Sequence, residues 1–260
     1  MARKIIGNLK FQKPQDGGFD ANEFAKMMEE AYLNGTQSGE SYKKKVSFSP
    51  STIGYGYGNC PRYWFIAFNG TDFEEQFDAM ARANMDNGKA AHDRIQAVMA
   101  KTSVFKENEA EIRLASPPIR GFADVIIEWN NKEVVGEVKT AKDEVYSIRQ
   151  AEMKPTSNHL IQLLTYMKIR GAEQGFLYYE NKNDQSYLII PVNMNDKNTE
   201  LIEYVFDWLT KVHDNWKEGT LPTRPFTKST SSCKYCPVKK SCWKELEEGE
   251  TSIDPLVLPK

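Results

Sequence analysis

Two carboxylates and a lysine are the residues most able to do chemistry. Asp124 sits in Gly121-Phe122-Ala123-Asp124-Val125-Ile126-Ile127, and Glu137 and Lys139 in Val134-Val135-Gly136-Glu137-Val138-Lys139. Residues two apart in a strand project to one face, so Glu137 and Lys139 point together. Asn130-Asn131 suits a tight turn, and a short hairpin can bring Asp124 beside them. Adjacent carboxylates repel unless a cation lies between them. Hard ions such as Mg²⁺ or Mn²⁺ prefer such oxygen ligands. A lysine there can stabilise charge on a phosphate, or position and deprotonate a water. On this motif alone, a solvent-facing charged strand with a Glu–Lys pair fits equally well.

Four further polar side chains lie on otherwise apolar helical stripes. His92 shares a stripe with Ile95 and Met99 in a helix expected at 84–100. Gln162 and Tyr166 are one turn apart in an apolar helix at 158–170, with His159 on the same stripe. Such groups need partners. Core hydrogen bonding is the ordinary answer; an active-site water, a metal or a phosphate backbone is the functional one.

The four cysteines are Cys60, Cys233, Cys236 and Cys242, the last three in SSCKYCPVKKSCW. In a reducing compartment they are expected as buried thiols or metal ligands, not disulfides. Four soft thiolates bind Zn²⁺ or an iron–sulfur cluster. Zinc ribbons usually bring two Cys-x2-Cys pairs, which one cysteine upstream and three downstream fit poorly.

The elements that must position these residues follow from periodicity and breakers. An N-terminal helix is expected at 20–34, with Asp20 and Glu23 at capping-box spacing, and a polar linker at 36–46. Ser49-Pro50-Ser51 opens a helix running through Tyr63, Trp64 and Phe65, weakened by glycines at 54, 56 and 58. Strands are expected at 104–114, 119–129 and 134–138, then near 175–180 and 186–192. The segment 140–157 reads as polar, and 199–217 as a long amphipathic helix ended by Gly219 and Pro222. This order implies an α/β core, a mixed sheet flanked by helices.

The set Gly88-x3-His92, Gly121-Phe-Ala-Asp124, Glu137-Val-Lys139 and Gln162-x3-Tyr166 resembles, in order, the RecB-type branch of the PD-(D/E)xK nuclease superfamily. The resemblance implies that His92, Asp124, Glu137 and the Val138 carbonyl ligate the divalent metal. Lys139 then matches the catalytic lysine, and Gln162 and Tyr166 a motif that holds DNA. The one-plus-three cysteines resemble the iron–sulfur variants, the AddB-type nuclease domains and CRISPR-associated RecB-like exonucleases, implying a [4Fe–4S] cluster on Cys60, Cys233, Cys236 and Cys242. Ser49-Pro-Ser51 and Cys60-Pro-Arg resemble that group's N-terminal motif. The implied organisation is an accessory helix and linker at 1–47, a nuclease core with the restriction-endonuclease-like fold at 48–222, and a tail at 223–260 that completes an iron–sulfur subdomain with Cys60. The implied activity is an exonuclease on single-stranded DNA ends with 5′→3′ polarity. Recombination, replication or CRISPR-adaptation proteins are the implied partners.

Bulk composition neither adds to nor blocks this. Of 260 residues 40% are hydrophobic, enough for a sizeable core, and the formal net charge is −2. Any basic groove must therefore be local; Lys43-Lys44-Lys45 and Lys239-Lys240 are the obvious runs, more often solvated faces than binding patches. The segment 140–157 carries Lys142, Arg149 and Lys154 and is a phosphate contact or a plain loop. Tyr55, Tyr57, Tyr63 and Trp64 are expected to pack the core in preference to stacking on bases. With no apolar signal core and no stretch of roughly 18–20 apolar residues, a soluble cytoplasmic protein is expected, in host cytoplasm if viral. Two other readings stay open: a non-catalytic DNA-binding or assembly module, and a zinc-stabilised endonuclease.

Overall fold

A computed structural model describes residues 20–34, 44–74 and 78–259. The polar linker reading and Lys43 fall largely or wholly outside these residues. The chain divides into two compact units, with one of the boundaries falling between Asn87 and Gly88 inside a helix. The first unit contains α1 (Ala21–Asn34) and the start of α3 (Ala79–Met99). Asp20 Oδ1 caps α1 by accepting from the amides of Asn22 and Glu23, at 2.9 and 3.1 Å.

The second unit holds the sheet. Strands β1 (Phe105–Leu114), β2 (Ile119–Trp129), β3 (Lys132–Ala141), β4 (Gln174–Asn181) and β5 (Tyr187–Asn193) lie in the order β1-β2-β3-β4-β5. All neighbours are antiparallel except β3 and β4, which are parallel. A parallel pair needs a crossover connection, and α4 (Asp143–Glu152) with α5 (Ser157–Arg170) supplies it. Asn130 and Asn131 both take positive φ, 52° and 60°, as a tight hairpin turn requires.

Strand alternation explains the layers. Val135, Glu137, Leu177 and Tyr179 share the face on which α5 packs, where Leu163 and Met167 come close to Gly175. The other face carries Glu180, held by Arg94 of α3 at 2.7 Å to each carboxylate oxygen. Beyond α5, α2 (Pro61–Asn69) and α6 (Asp196–Glu218) complete the core around Phe48, Trp64 and Phe68.

Two expectations are corrected. No single helix runs from Ser49: residues 50–55 form turns, Gly56–Asn59 is a short 3-10 helix, and α2 starts at Pro61. Gly54 and Gly56 take positive φ, 81° and 48°, which a helix does not allow. The segment 140–157 is no plain loop either, since it contains α4, whose Arg149 is spent on the Lys154 carbonyl (2.9 Å) and Glu152 (3.0 Å). Tyr63 and Trp64 are core residues as expected, whereas Tyr55 is exposed.

Candidate active site

The ladder between β2 and β3 runs from Trp129↔Lys132 to Val125↔Gly136. One residue further, the Val138 amide donates to Asp124 Oδ2 at 2.6 Å. A side chain thus takes the place of a strand carbonyl, and Asp124 and Glu137 stand together where the strands stop pairing. Both are buried, at 8% and 1% exposure. His92 Nδ1, from α3, stands 3.5 Å from Asp124 Oδ1. Lys139 Nζ donates to Glu137 Oε1 at 2.5 Å, and Gln162 Nε2 donates to the same oxygen at 2.6 Å and to the Tyr166 hydroxyl at 3.2 Å. The structure therefore brings His92, Asp124, Glu137, Val138, Lys139, Gln162 and Tyr166 into one site.

The electrostatics favour a cation. Burial pushes the Glu137 carboxyl up to about 8; Lys139 opposes this and Asp124 adds to it. Glu137 Oε2 is buried without a hydrogen-bond partner. With its carboxyl raised this far Glu137 is held as the neutral acid beside Asp124, and a divalent ion held by the pair would take the place of that proton. The donor set fits such an ion. Among the described residues, no group of three or more His, Cys, Asp or Glu is already in ligating geometry.

Glycine explains a second feature of the motif. A Cβ at Gly121 would stand 3.0 Å from Pro50 and 3.1 Å from Tyr166 Cε1, so the bare backbone lets the Tyr166 ring approach. Beside it opens a cavity of about 430 Å³ lined by Lys44, Lys45, Ser49, Ser51, Arg120 and Phe122, reaching Gln162 and Tyr166. Lys45 donates to Ser49 Oγ at 3.2 Å, and burial lowers its ammonium from the usual lysine range.

Sequence reasoning missed several supports. Arg94–Glu180 fixes the helix that carries His92. Glu109, in the left-handed region at φ 49°, stands across the ladder from Asp124 and accepts from Gln96 at 2.7 Å. Neither pairing has a local signature.

The cysteines gather at a separate place. The segment around Cys60 meets α7 (Ser231–Lys234) and a π-helical turn, Ser241–Glu245, that carries Cys242. All four are free thiols. Burial pushes Cys60 up to about 12, with Cys242 and Cys233 adding to it; Cys236 is raised in the same way. Arg62, with 0% exposure, donates to Cys242 Sγ at 3.2 Å and to the carbonyls of Pro222 and Glu248 at 2.6 Å each. A buried guanidinium needs compensating acceptors, and these carbonyls with the Cys242 sulfur supply them.

A mixed sheet carrying Asp, Glu-x-Lys and a Gln-x3-Tyr helix defines a metal-dependent nuclease class. A profile of the PD-(D/E)XK nuclease superfamily matches residues 67–243, more than half of the chain, and the protein belongs to that superfamily as a nuclease enzyme. No curated protein matches its sequence. Among solved structures it is similar to the alkaline exonuclease LHK-Exo from Laribacter hongkongensis, at 12% identity over 66% of this chain and 90% of that one, with a TM-score of 0.51. LHK-Exo in complex with dAMP gives 13%, 69%, 90% and 0.49. A phage-related exonuclease from Haemophilus somnus 129PT gives 10%, 67%, 96% and 0.45. At these identities the likeness concerns the fold, and LHK-Exo at 0.51 carries it. No helix among the described residues is long and apolar enough to cross a membrane.

Proposed function

We propose that this protein is an exonuclease hydrolysing DNA phosphodiesters at single-stranded ends with Mg²⁺ or Mn²⁺, in the 5′→3′ direction. The observation that carries the metal-dependent chemistry is Glu137 Oε2, buried and unpartnered beside Asp124 and within reach of a lysine. His92, Asp124, Glu137 and the Val138 carbonyl are the ligands. When bound, the ion supplies positive charge to the phosphate and acidifies water. Lys139 holds Glu137 in place as a donor, and its ammonium offsets charge developing on the phosphate and positions the attacking water. Gln162 fixes the Glu137 oxygen that Lys139 also touches, leaving the other oxygen for the ion, and Tyr166 steadies Gln162. The cavity beside them offers Lys44, Lys45 and Arg120 to phosphates and the exposed Phe122 ring to a base.

The exonuclease reading follows the family resemblance and the likeness in fold to the alkaline exonuclease LHK-Exo. Cys60, Cys233, Cys236 and Cys242 hold a [4Fe–4S] cluster that ties the tail to the segment before α2. Its role is structural: joining Cys60 to the tail closes a long loop, and binding adds folding free energy. The purified protein is then brown, with broad visible absorbance that bleaches on reduction; a colourless protein holding zinc contradicts the cluster. Degradation of end-labelled linear DNA, with circular DNA spared, supports the exonuclease assignment. Cleavage of circles contradicts it.

A further inference from the structure

The His92–Lys139 centre and the Gln162-x3-Tyr166 pair leave one polar residue of the same helix without a task. His159 lies three residues before Gln162, so one turn of α5 carries it to the same face, towards β4. There it meets Tyr179, whose ladder partner across the parallel β3–β4 pair is Lys139. Paired residues point to the same side, so Tyr179 stands next to the lysine with its ring fully buried. The Tyr179 hydroxyl lies 2.8 Å from His159 Nδ1 and accepts from the Thr156 amide at 3.4 Å.

These two contacts select a tautomer. The hydroxyl oxygen already receives the Thr156 amide at 3.4 Å, and the nearest ring nitrogen to its proton is His159 Nδ1 at 2.8 Å. The hydroxyl therefore donates to Nδ1, and His159 carries its proton on Nε2. Burial, with Lys139 and Arg149 nearby, holds the imidazole far below the usual histidine range, at about 3, so it is a neutral donor. Nε2 lies on the ring edge away from the buried hydroxyl and makes no hydrogen bond to any described residue, and His159 as a whole is only partly buried.

A single fixed N–H donor one helical turn from Gln162, in the positive field of Lys139 and Arg149, suits an anionic oxygen. A purely structural histidine–tyrosine pair would account for Nδ1 but not for the open Nε2. Resting on the nuclease reading above, we propose that His159 Nε2–H donates to a non-bridging oxygen of the DNA phosphodiester next to the one cleaved, with Tyr179 as its positioning residue. His159 thus sets the register of the strand over Lys139, and Tyr179 acts through it.

The test separates the two edges of the ring. In His159→Asn the amide replaces Nδ1 and keeps the Tyr179 bond but does not reach Nε2. In His159→Gln the longer side chain returns a donor near Nε2. Each protein, with its cysteine centre intact and with Mn²⁺, is assayed on linear oligonucleotides that carry one neutral methylphosphonate at successive linkages from the end. The expected result is a KM for His159→Asn raised about 10- to 100-fold, as for one hydrogen bond to a charged acceptor, with kcat and the melting temperature near wild type. His159→Gln recovers most of the loss. One methylphosphonate position next to the cleaved linkage weakens wild type by a similar factor and has no further effect on His159→Asn. Tyr179→Phe lies between wild type and His159→Asn. Equal methylphosphonate penalties in wild type and His159→Asn at every linkage overturn the proposal, as does a His159→Asn variant with unchanged KM. If wild type degrades no DNA at all, the nuclease reading itself has failed, which is a different result from a working nuclease without this coupling.

Discussion

Glu137 carries opposing demands. The fold buries it beside Asp124, which favours the protonated carboxyl, while the chemistry needs a carboxylate. Burial places it at about 8 in the metal-free protein, against 4.5 for a free side chain. A raised folded-state value means that its stabilising contribution is full below about pH 4.5 and is lost as pH rises through about 8. Metal-free protein is therefore expected to lose thermal stability over that window, and Glu137→Gln to flatten the loss while abolishing activity. Melting curves from pH 5 to 9, with chelator, measure this. Binding of Mn²⁺ at pH 7 should release close to one proton, read by calorimetry in buffers of different ionisation enthalpy. The Glu137–Lys139 pair was legible in the sequence because strand alternation has a fixed period of two. Asp124 needed only the hairpin that Asn130-Asn131 announces. Lys45, Glu109 and Arg62 were not legible as site or support residues, because their partners lie far away in the chain and leave no local pattern.

The elements show which parts of the site are rigid. Gly136 precedes Glu137, and a Cβ there would meet Phe176 Cζ at 2.4 Å and Val125 Cγ1 at 2.5 Å. Gly136→Ala is expected to cost about 1–3 kcal/mol, as overpacked cores do, and to lower activity by shifting the catalytic strand; chemical denaturation and an activity assay check it. Arg94 anchors α3 to the buried Glu180, so Arg94→Ala should leave that carboxylate unpaired and let His92 drift. A loss of activity on the order of 10- to 100-fold is expected, as for small misplacements of a catalytic group, with a compensating rise in the Mn²⁺ concentration needed. Helices with clear apolar stripes, α3, α5 and α6, were legible with their approximate ends. Helix α4 was not, since its polar composition and the loops around it hide a short amphipathic turn whose Tyr146 alone is buried. The stretch 50–60 was misread because its apolar and aromatic residues recur near helical spacing, while Gly54 and Gly56 impose turns.

The whole molecule joins segments that are distant in sequence. The tail returns to the start of the fold: the Leu256 amide donates to the Asn59 carbonyl at 2.9 Å, and Arg62 reaches Glu248 and Pro222. Removing one cysteine should loosen this closure. Cys233→Ala is expected to lose visible absorbance, solubility and thermal stability before it loses the chemistry at Asp124 and Glu137; a stable, colourless variant with wild-type activity contradicts the structural role. The one-plus-three spacing singled out these cysteines in the sequence, but thiol spacing does not name an ion.

The central claim is that Asp124, Glu137 and Lys139 form a metal-dependent nuclease centre. The most direct measurement incubates wild type and Lys139→Ala with end-labelled linear and covalently closed single-stranded DNA in Mn²⁺. The account predicts that wild type degrades the linear strand and spares the circle, that chelator stops it, and that Lys139→Ala is slower by about 10²- to 10⁴-fold while still binding DNA. Equal degradation by both proteins, or binding by both with no degradation, contradicts it.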